Sequence, residues 1–287
     1  MAHVIATINL KGGVGKTTTT VGLAEMLSVE HDKKVLVIDL DPQTNATTVL
    51  IGDNAWQNLN AAGYTIATLF TDALAGDDAT PKFDLDKTLQ RGVSPIREVR
   101  NVDLLPSSLD LIDVQDRLAS LPPGRFFSNV PTDLLRRAVR PILDQYDYVL
   151  IDCPPNLGIV TLNGLRISNG YIIPTIPDVL STYGIPQIQS RVKAFADNLG
   201  EPIEELGIVV TKYRAASTVH RNTVDRLTED VRLPEVFETL IPEANAIAAG
   251  VEHAVTSTLK QKYAYQGGYE AFSSLAREFV ETVEARA

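Results

Sequence analysis

Apolar residues fall along this chain in short unbroken runs, separated by stretches where they recur at helical spacing. The runs are His3–Ile8, Lys33–Asp39, Val102–Ser107, Asp147–Cys153, Gly170–Pro177 and Glu205–Lys212. Such runs suit parallel strands covered on both faces. After the first run, Val21, Leu23, Ala24 and Leu27 fall on a helical pattern. Further helices are predicted over Leu109–Leu121, stopped by Pro122-Pro123-Gly124, over Thr132–Gln145 with Thr132 as N-cap, and over Leu180–Leu199. Gly268–Ala287 reads as a surface helix, with Phe272, Leu275, Ala276, Phe279 and Val283 near helical spacing. Between Gly52 and Arg100 the periodicity weakens; Thr65–Phe70 reads as a short helix and Gly76–Pro81 as an exposed loop. There is no repeat and no low-complexity tract. Strand alternating with helix predicts an α/β fold with a doubly wound, mostly parallel sheet flanked by helices.

Candidate chemistry sits at the ends of these runs. Between the first strand and the first helix lies Ile8-Asn9-Leu10-Lys11-Gly12-Gly13-Val14-Gly15-Lys16-Thr17-Thr18. Strand, glycine loop and helix together make a phosphate cradle. The glycines let the backbone turn its N–H groups inward, and the helix start adds unpaired N–H groups and a positive dipole end. Lys16 is expected along the β- and γ-phosphates and the Thr17 hydroxyl on Mg²⁺. Leu10 stands where the strict pattern has its first glycine. The second strand ends in Asp39-Leu40-Asp41-Pro42-Gln43. In open α/β sheets ligands lie beyond the strand C-termini, so these carboxylates can face a metal and water. A plain polar Asp-Pro turn explains the same residues. Asp152 ends another apolar strand, where it would accept from a metal-bound water; an incidental acid at a strand end is the alternative.

The K-G-G-x-G-K-T-T string resembles the deviant P-loop of the ParA/MinD family of ATPases, with ATP and Mg²⁺ as cofactors. The resemblance covers nearly the whole chain and implies one P-loop ATPase domain over residues 1–287, without an N-terminal helix-turn-helix extension. It puts Lys11, Gly12, Gly13, Val14, Gly15, Lys16, Thr17 and Thr18 on the nucleotide. Lys11 reaches across a dimer interface to the partner's phosphates. Asp39 supports the metal's water shell and Asp41 orients the attacking water, with Asn45 and Thr47 in the same switch loop. Pro154–Gly158 resembles a second switch that senses the γ-phosphate. Thr211, and Pro242 at the end of a strand Phe237–Pro242, line the adenine pocket; ordinary strand ends are the other reading. Leu104-Leu105-Pro106-Ser107 also matches partition ATPases.

The same family implies a homodimer with ATP, non-specific DNA binding, and a ParB-like or cargo adaptor protein that stimulates hydrolysis. Such a protein positions a plasmid, a chromosomal origin or a protein body. It is cytoplasmic, and nucleoid-associated when ATP-bound.

Composition tests that picture. The 287 residues are 44% hydrophobic, enough for a large core. No apolar run approaches the ~18 residues of a membrane span, and Met1-Ala2-His3 leaves no room for a signal peptide. The net charge of −10 argues against a broad basic surface. Candidates for a local DNA-binding patch are Arg191, Lys193, Arg214, His220, Arg221, Arg226, Lys260 and Lys262. Chromosomal members carry an arginine soon after the Ile-Pro at this point; Ile241-Pro242-Glu243-Ala244-Asn245-Ala246 has none. A MinD-like membrane switch needs a basic amphipathic C-terminal helix, and Glu278, Glu281 and Glu284 oppose it. One cysteine, Cys153, excludes an internal disulfide and the paired thiolates of an iron–sulfur relative. Tyr263, Tyr265 and Tyr269 are the only hint of a bacterial P-loop tyrosine kinase.

Overall fold

Six strands form one parallel sheet: β1 (His3–Thr7), β2 (Val35–Asp39), β3 (Val102–Leu105), β4 (Tyr148–Asp152), β5 (Gly170–Thr175) and β6 (Glu204–Val210). These come from a computed structural model describing residues 2–75, 80–120, 131–250, 252–263 and 267–286. The strand order is β3-β2-β4-β1-β5-β6. β1 therefore lies between β4 and β5, and successive strands leave it in both directions. This reversal opens a crevice beyond the strand C-termini. The register brings Thr7 and Asp39 each opposite Asp152 at that edge.

The helices are α1 (Lys16–Glu30), α2 (Asn45–Ile51), α3 (Asp53–Ala61), α4 (Ile66–Ala75), α5 (Leu85–Thr88), α6 (Leu111–Ala119) and α7 (Leu134–Leu143). They continue with α8 (Ile159–Ile167), α9 (Val179–Thr182), α10 (Ile185–Leu199), α11 (Thr218–Glu229), α12 (Asn245–Ala249), α13 (Leu259–Lys262) and α14 (Tyr269–Arg286). Strand side chains alternate between two cores. Val4, Ala6, Leu36, Ile38, Val149 and Ile151 meet α4, α6, α7, α8 and α10. Ile5, Val35, Val37, Tyr148 and Leu150 meet α1, α2 and α14 on the other face. Both faces are covered, which is why the strands read as continuous apolar runs.

The predicted helices differ in detail. The helix beginning at Leu180 is two: Asp178 caps α9 by accepting from the Ser181 N–H at 2.7 Å, and α10 restarts after Gly184 with Pro186 in its first turn. Thr132 is not an N-cap but part of a 3-10 turn, Pro131–Asp133, ahead of α7. The weakly periodic region holds α3, which buries no side chain and so carries no apolar stripe, and a longer α4. The Pro122–Gly124 stop, Tyr265 and residues 76–79 of the predicted loop lie outside the described residues.

Phe237–Pro242 is not a strand. It runs beside β6 through Ile208–Val236 and Tyr213–Pro242 bridges. Between them the Glu238 and Thr239 N–H groups donate to the Glu278 carboxylate on α14. Those donors are lost to a ladder.

α14 is more than a surface helix. Phe272, Leu275, Ala276, Phe279 and Val283 are buried, in the core that α1 completes. Gly22 of α1 admits the contact: a Cβ there would stand 2.3 Å from the Phe272 ring. Below it lies a buried charge cluster. Glu25 accepts from Lys262 Nζ at 2.8 and 2.7 Å and from the Tyr263 hydroxyl at 2.9 Å. The Lys262 side chain is 5% exposed and Glu25 is fully buried. Lys262 is therefore no surface cation for DNA. His220 is also buried, its Nδ1 accepting the Arg214 N–H at 3.1 Å.

Candidate active site

The crevice beyond β1, β2 and β4 holds the glycine loop. Gly13 and Gly15 take left-handed backbones, φ +73° and +85°, which a side chain would strain. The loop is held from below by Asn9. Its Nδ2 donates to the Pro174 carbonyl at 2.8 Å, and its Oδ1 accepts the Lys11 N–H at 2.9 Å. From above, Thr211 Oγ1 donates to the Val14 carbonyl at 2.8 Å. The resulting cleft, about 330 Å³, is lined by Gly12, Gly13, Gly15, Lys16, Thr17, Thr18, Asp41, Gln43, Asn45, Pro155 and Lys212.

Three carboxylates converge under Lys16 and Thr17. Thr17 Oγ1 donates to Asp152 Oδ2 at 2.6 Å. The other oxygen, Asp152 Oδ1, is buried with no hydrogen-bond partner among the described residues. Asp39 beside it is satisfied: Oδ2 accepts the Thr47 N–H and hydroxyl at 2.9 and 2.7 Å, and Oδ1 accepts the Asp41 N–H at 3.1 Å. The Thr47 hydroxyl in turn accepts the Ser107 N–H at 2.9 Å. Asp41 Oδ1 accepts the Gln43 N–H at 2.9 Å, and its carbonyl accepts from Ser107 Oγ at 2.7 Å.

Burial raises all three carboxyls above their ordinary range. Asp39 is raised by burial first and by the neighbouring Asp152 charge second. Burial lifts Asp152 to about 7, against the Thr17 hydroxyl and Lys16. Asp41 is raised by burial, partly offset by the Gln43 N–H and Lys16. An orphaned carboxylate oxygen and a hydroxyl, both hard oxygen donors, fit Mg²⁺. That ion binds through few protein oxygens and completes its octahedron with water and phosphate. Among the described residues no group of three or more His, Cys, Asp or Glu side chains forms an all-protein cage.

The structure thus brings Gly12, Gly13, Gly15, Lys16, Thr17, Thr18 and Asp41 to one cleft, with Asp39 and Asp152 beneath it. Lys11 is turned away. Its Nζ donates to Ser181 Oγ at 2.8 Å and stands 3.5 Å from Asp178 Oδ2 of the same chain. Thr211 touches the loop rather than the cleft; Pro242 pairs with Tyr213. Pattern reading misses Ser107 as a holder of Asp41, Asp178 and Ser181 as holders of Lys11, and Lys212. None has a local signal, because each acts on a residue far away in the chain. Of the basic candidates, Arg191, Lys193, Arg221 and Arg226 are exposed. Arg214 pairs with Glu243 at 3.2 Å, and Lys260 lies over the Tyr269 ring.

The family model AAA_31, described as an AAA domain, matches residues 2–204. An uncharacterized protein of Mycobacterium tuberculosis is 32% identical over 98% of this chain and 79% of its own. The sporulation initiation inhibitor protein Soj of Bacillus subtilis is 29% identical over 97% of this chain and 98% of its own. Among solved structures, cobyrinic acid a,c-diamide synthase from Mycobacterium smegmatis, with a bound ATP analogue and magnesium, superposes with a TM-score of 0.71. It is 26% identical, covering 96% of this chain and 93% of its own.

Proposed function

The chain belongs to the AAA_31 family and is a ParA-type ATPase, and from that premise we propose that it hydrolyses ATP to drive a cargo-positioning or partitioning cycle. The observation that carries the reading is the Thr17–Asp152 pair with its unpartnered buried oxygen, set under a glycine loop and beside Asp41. The catalytic scheme is positioning and electrostatics. Lys16 and the loop N–H groups hold the phosphates. Thr17 and Asp152, backed by Asp39, would hold Mg²⁺, which would supply charge neutralisation at the phosphates. Asp41 aligns water for in-line attack; its carboxylate accepts the Gln43 N–H, and its main-chain carbonyl is held by the Ser107 hydroxyl. The domain is a single P-loop unit over 1–287, and ATP and Mg²⁺ are its cofactors. The Soj likeness supports chromosome or cargo partition as the setting, with a homodimer, non-specific DNA and an adaptor protein as partners, in the cytoplasm and on the nucleoid.

A membrane-bound cycle is disfavoured. No helix among the described residues is long and apolar enough to cross a membrane, and the apolar face of α14 already packs on α1. The deciding experiment is binding to a random-sequence duplex with ATP, ADP and no nucleotide, across a salt series, for wild type and Asp41→Ala. ATP-specific binding that weakens with salt is expected. Absence of binding in every state would sink the DNA arm and leave the ATPase.

A further inference from the structure

Two peptide planes of the glycine loop are held from the end of β6. Thr211 Oγ1 holds the Val14 carbonyl at 2.8 Å, and Lys212 Nζ holds the Gly13 carbonyl at 2.9 Å. In a trans peptide the C=O and the following N–H point opposite ways. With both carbonyls drawn toward β6, the N–H groups of Val14 and Gly15 point away from it. Lys16 does a similar thing one turn earlier, its Nζ 3.4 Å from the Lys11 carbonyl.

Lys212 is unusual in its own backbone. Its φ is +49°, a left-handed conformation that only three non-glycine residues adopt among those described. Its side chain is exposed, yet it lines the cleft beside Lys16 and Thr17 rather than extending into solvent. A lysine ammonium has three donors, and among the described residues one is engaged, on Gly13.

We propose that Lys212 is a positioning residue for the nucleotide's phosphates: it fixes the Gly13–Val14 peptide so that the Val14 N–H faces the phosphate chain. Its charge lies in the same cleft as that of Lys16. The inference rests on the nucleotide reading above and extends it to a residue from the far side of the sheet. It also assigns a use to the strained backbone at position 212, which aims the side chain back over the loop.

The test compares wild type with Lys212→Met, which keeps the stem and removes the ammonium, and Lys212→Arg, which keeps the charge. Calorimetric titrations use Mg²⁺·ATP and inorganic tripolyphosphate, beside melting of the ligand-free protein. Lys212→Met is expected to weaken both ligands by one common factor of about tenfold, the worth of a charge-assisted hydrogen bond. Ligand-free melting stays unchanged and Lys212→Arg recovers most of the affinity. Wild-type affinity in Lys212→Met overturns the proposal. So does a loss confined to ATP, which would place Lys212 on the nucleoside, or a melting loss that accounts for the affinity loss. Wild type that binds neither ligand overturns the nucleotide reading itself, and this is seen before any variant is made.

Discussion

At Asp152 one carboxylate oxygen is held by Thr17 while the other is buried and bare. Burial raises its pKa from 3.8 to about 7. Between those values the folded, metal-free chain keeps a proton that the unfolded chain has released. Its stability therefore falls as pH rises through that window and is level below it. In the proposed site Mg²⁺ would take the place of that proton. The rise in melting temperature on adding Mg²⁺·ADP is expected to be larger above the window than inside it, and Asp152→Asn should flatten the difference. Equal shifts inside and above the window would remove Asp152 from the metal. At this scale the sequence was informative where the chemistry is local. Lys16, Thr17, Asp39, Asp41 and Asp152 all sit at strand ends or loop positions that their own neighbours announce. Ser107 and Lys212 could not be read, since what they hold lies 66 and 199 residues away.

Among the elements, α1 matters most, because it begins with Lys16 and Thr17 and is packed along its length by α14. Gly22→Ala gains helix propensity of up to ~1 kcal/mol. It also drives a methyl into the fully buried Phe272 ring, an overpacking cost of about 1–3 kcal/mol. A net loss in urea unfolding is expected, with Phe272→Leu restoring part of it. Lys262→Met leaves the Glu25 carboxylate buried and unpaired, costing about 3–5 kcal/mol. Adding Glu25→Leu should return most of that; if it does not, the cluster is not the source. The elements themselves were legible where burial is two-sided: the six long apolar runs match six strands. α3 was invisible because it buries nothing. Phe237–Pro242 read as a strand because no pattern reveals that Glu278 takes two of its N–H groups.

For the whole molecule, a net charge of −10 sets the terms of the proposed DNA binding. With Lys262 and His220 buried and Arg214 paired, the remaining patch is thinner than the sequence suggests. In the proposed cycle a DNA surface assembled from two copies would enlarge that patch and link binding to dimerisation. Lys11 is the residue to test for that link. Its contact with Asp178 joins half-exposed groups, and such pairs are worth about 0–1 kcal/mol. With the Ser181 hydrogen bond adding a net ~0.5–1.5 kcal/mol, that is modest resistance to swinging toward a partner's phosphates. Lys11→Ala is expected to lose ATP-dependent dimerisation in sedimentation while still binding one nucleotide per chain. A variant that dimerises normally would confine Lys11 to its own subunit.

The place of β1 in the sheet sets a timetable for the protein's synthesis. β1 and the glycine loop leave the ribosome well before their lateral partners β4 and β5, which begin at Tyr148 and Gly170. The loop's upper anchors, Thr211 and Lys212, come later still. At roughly 5–20 residues per second, that leaves the first strand unpaired for about seven to thirty seconds. Through that interval it is a bare apolar segment followed by a slack glycine turn, unable to grip a nucleotide. ATP can act as a ligand of the finished sheet but not as a template for its first half.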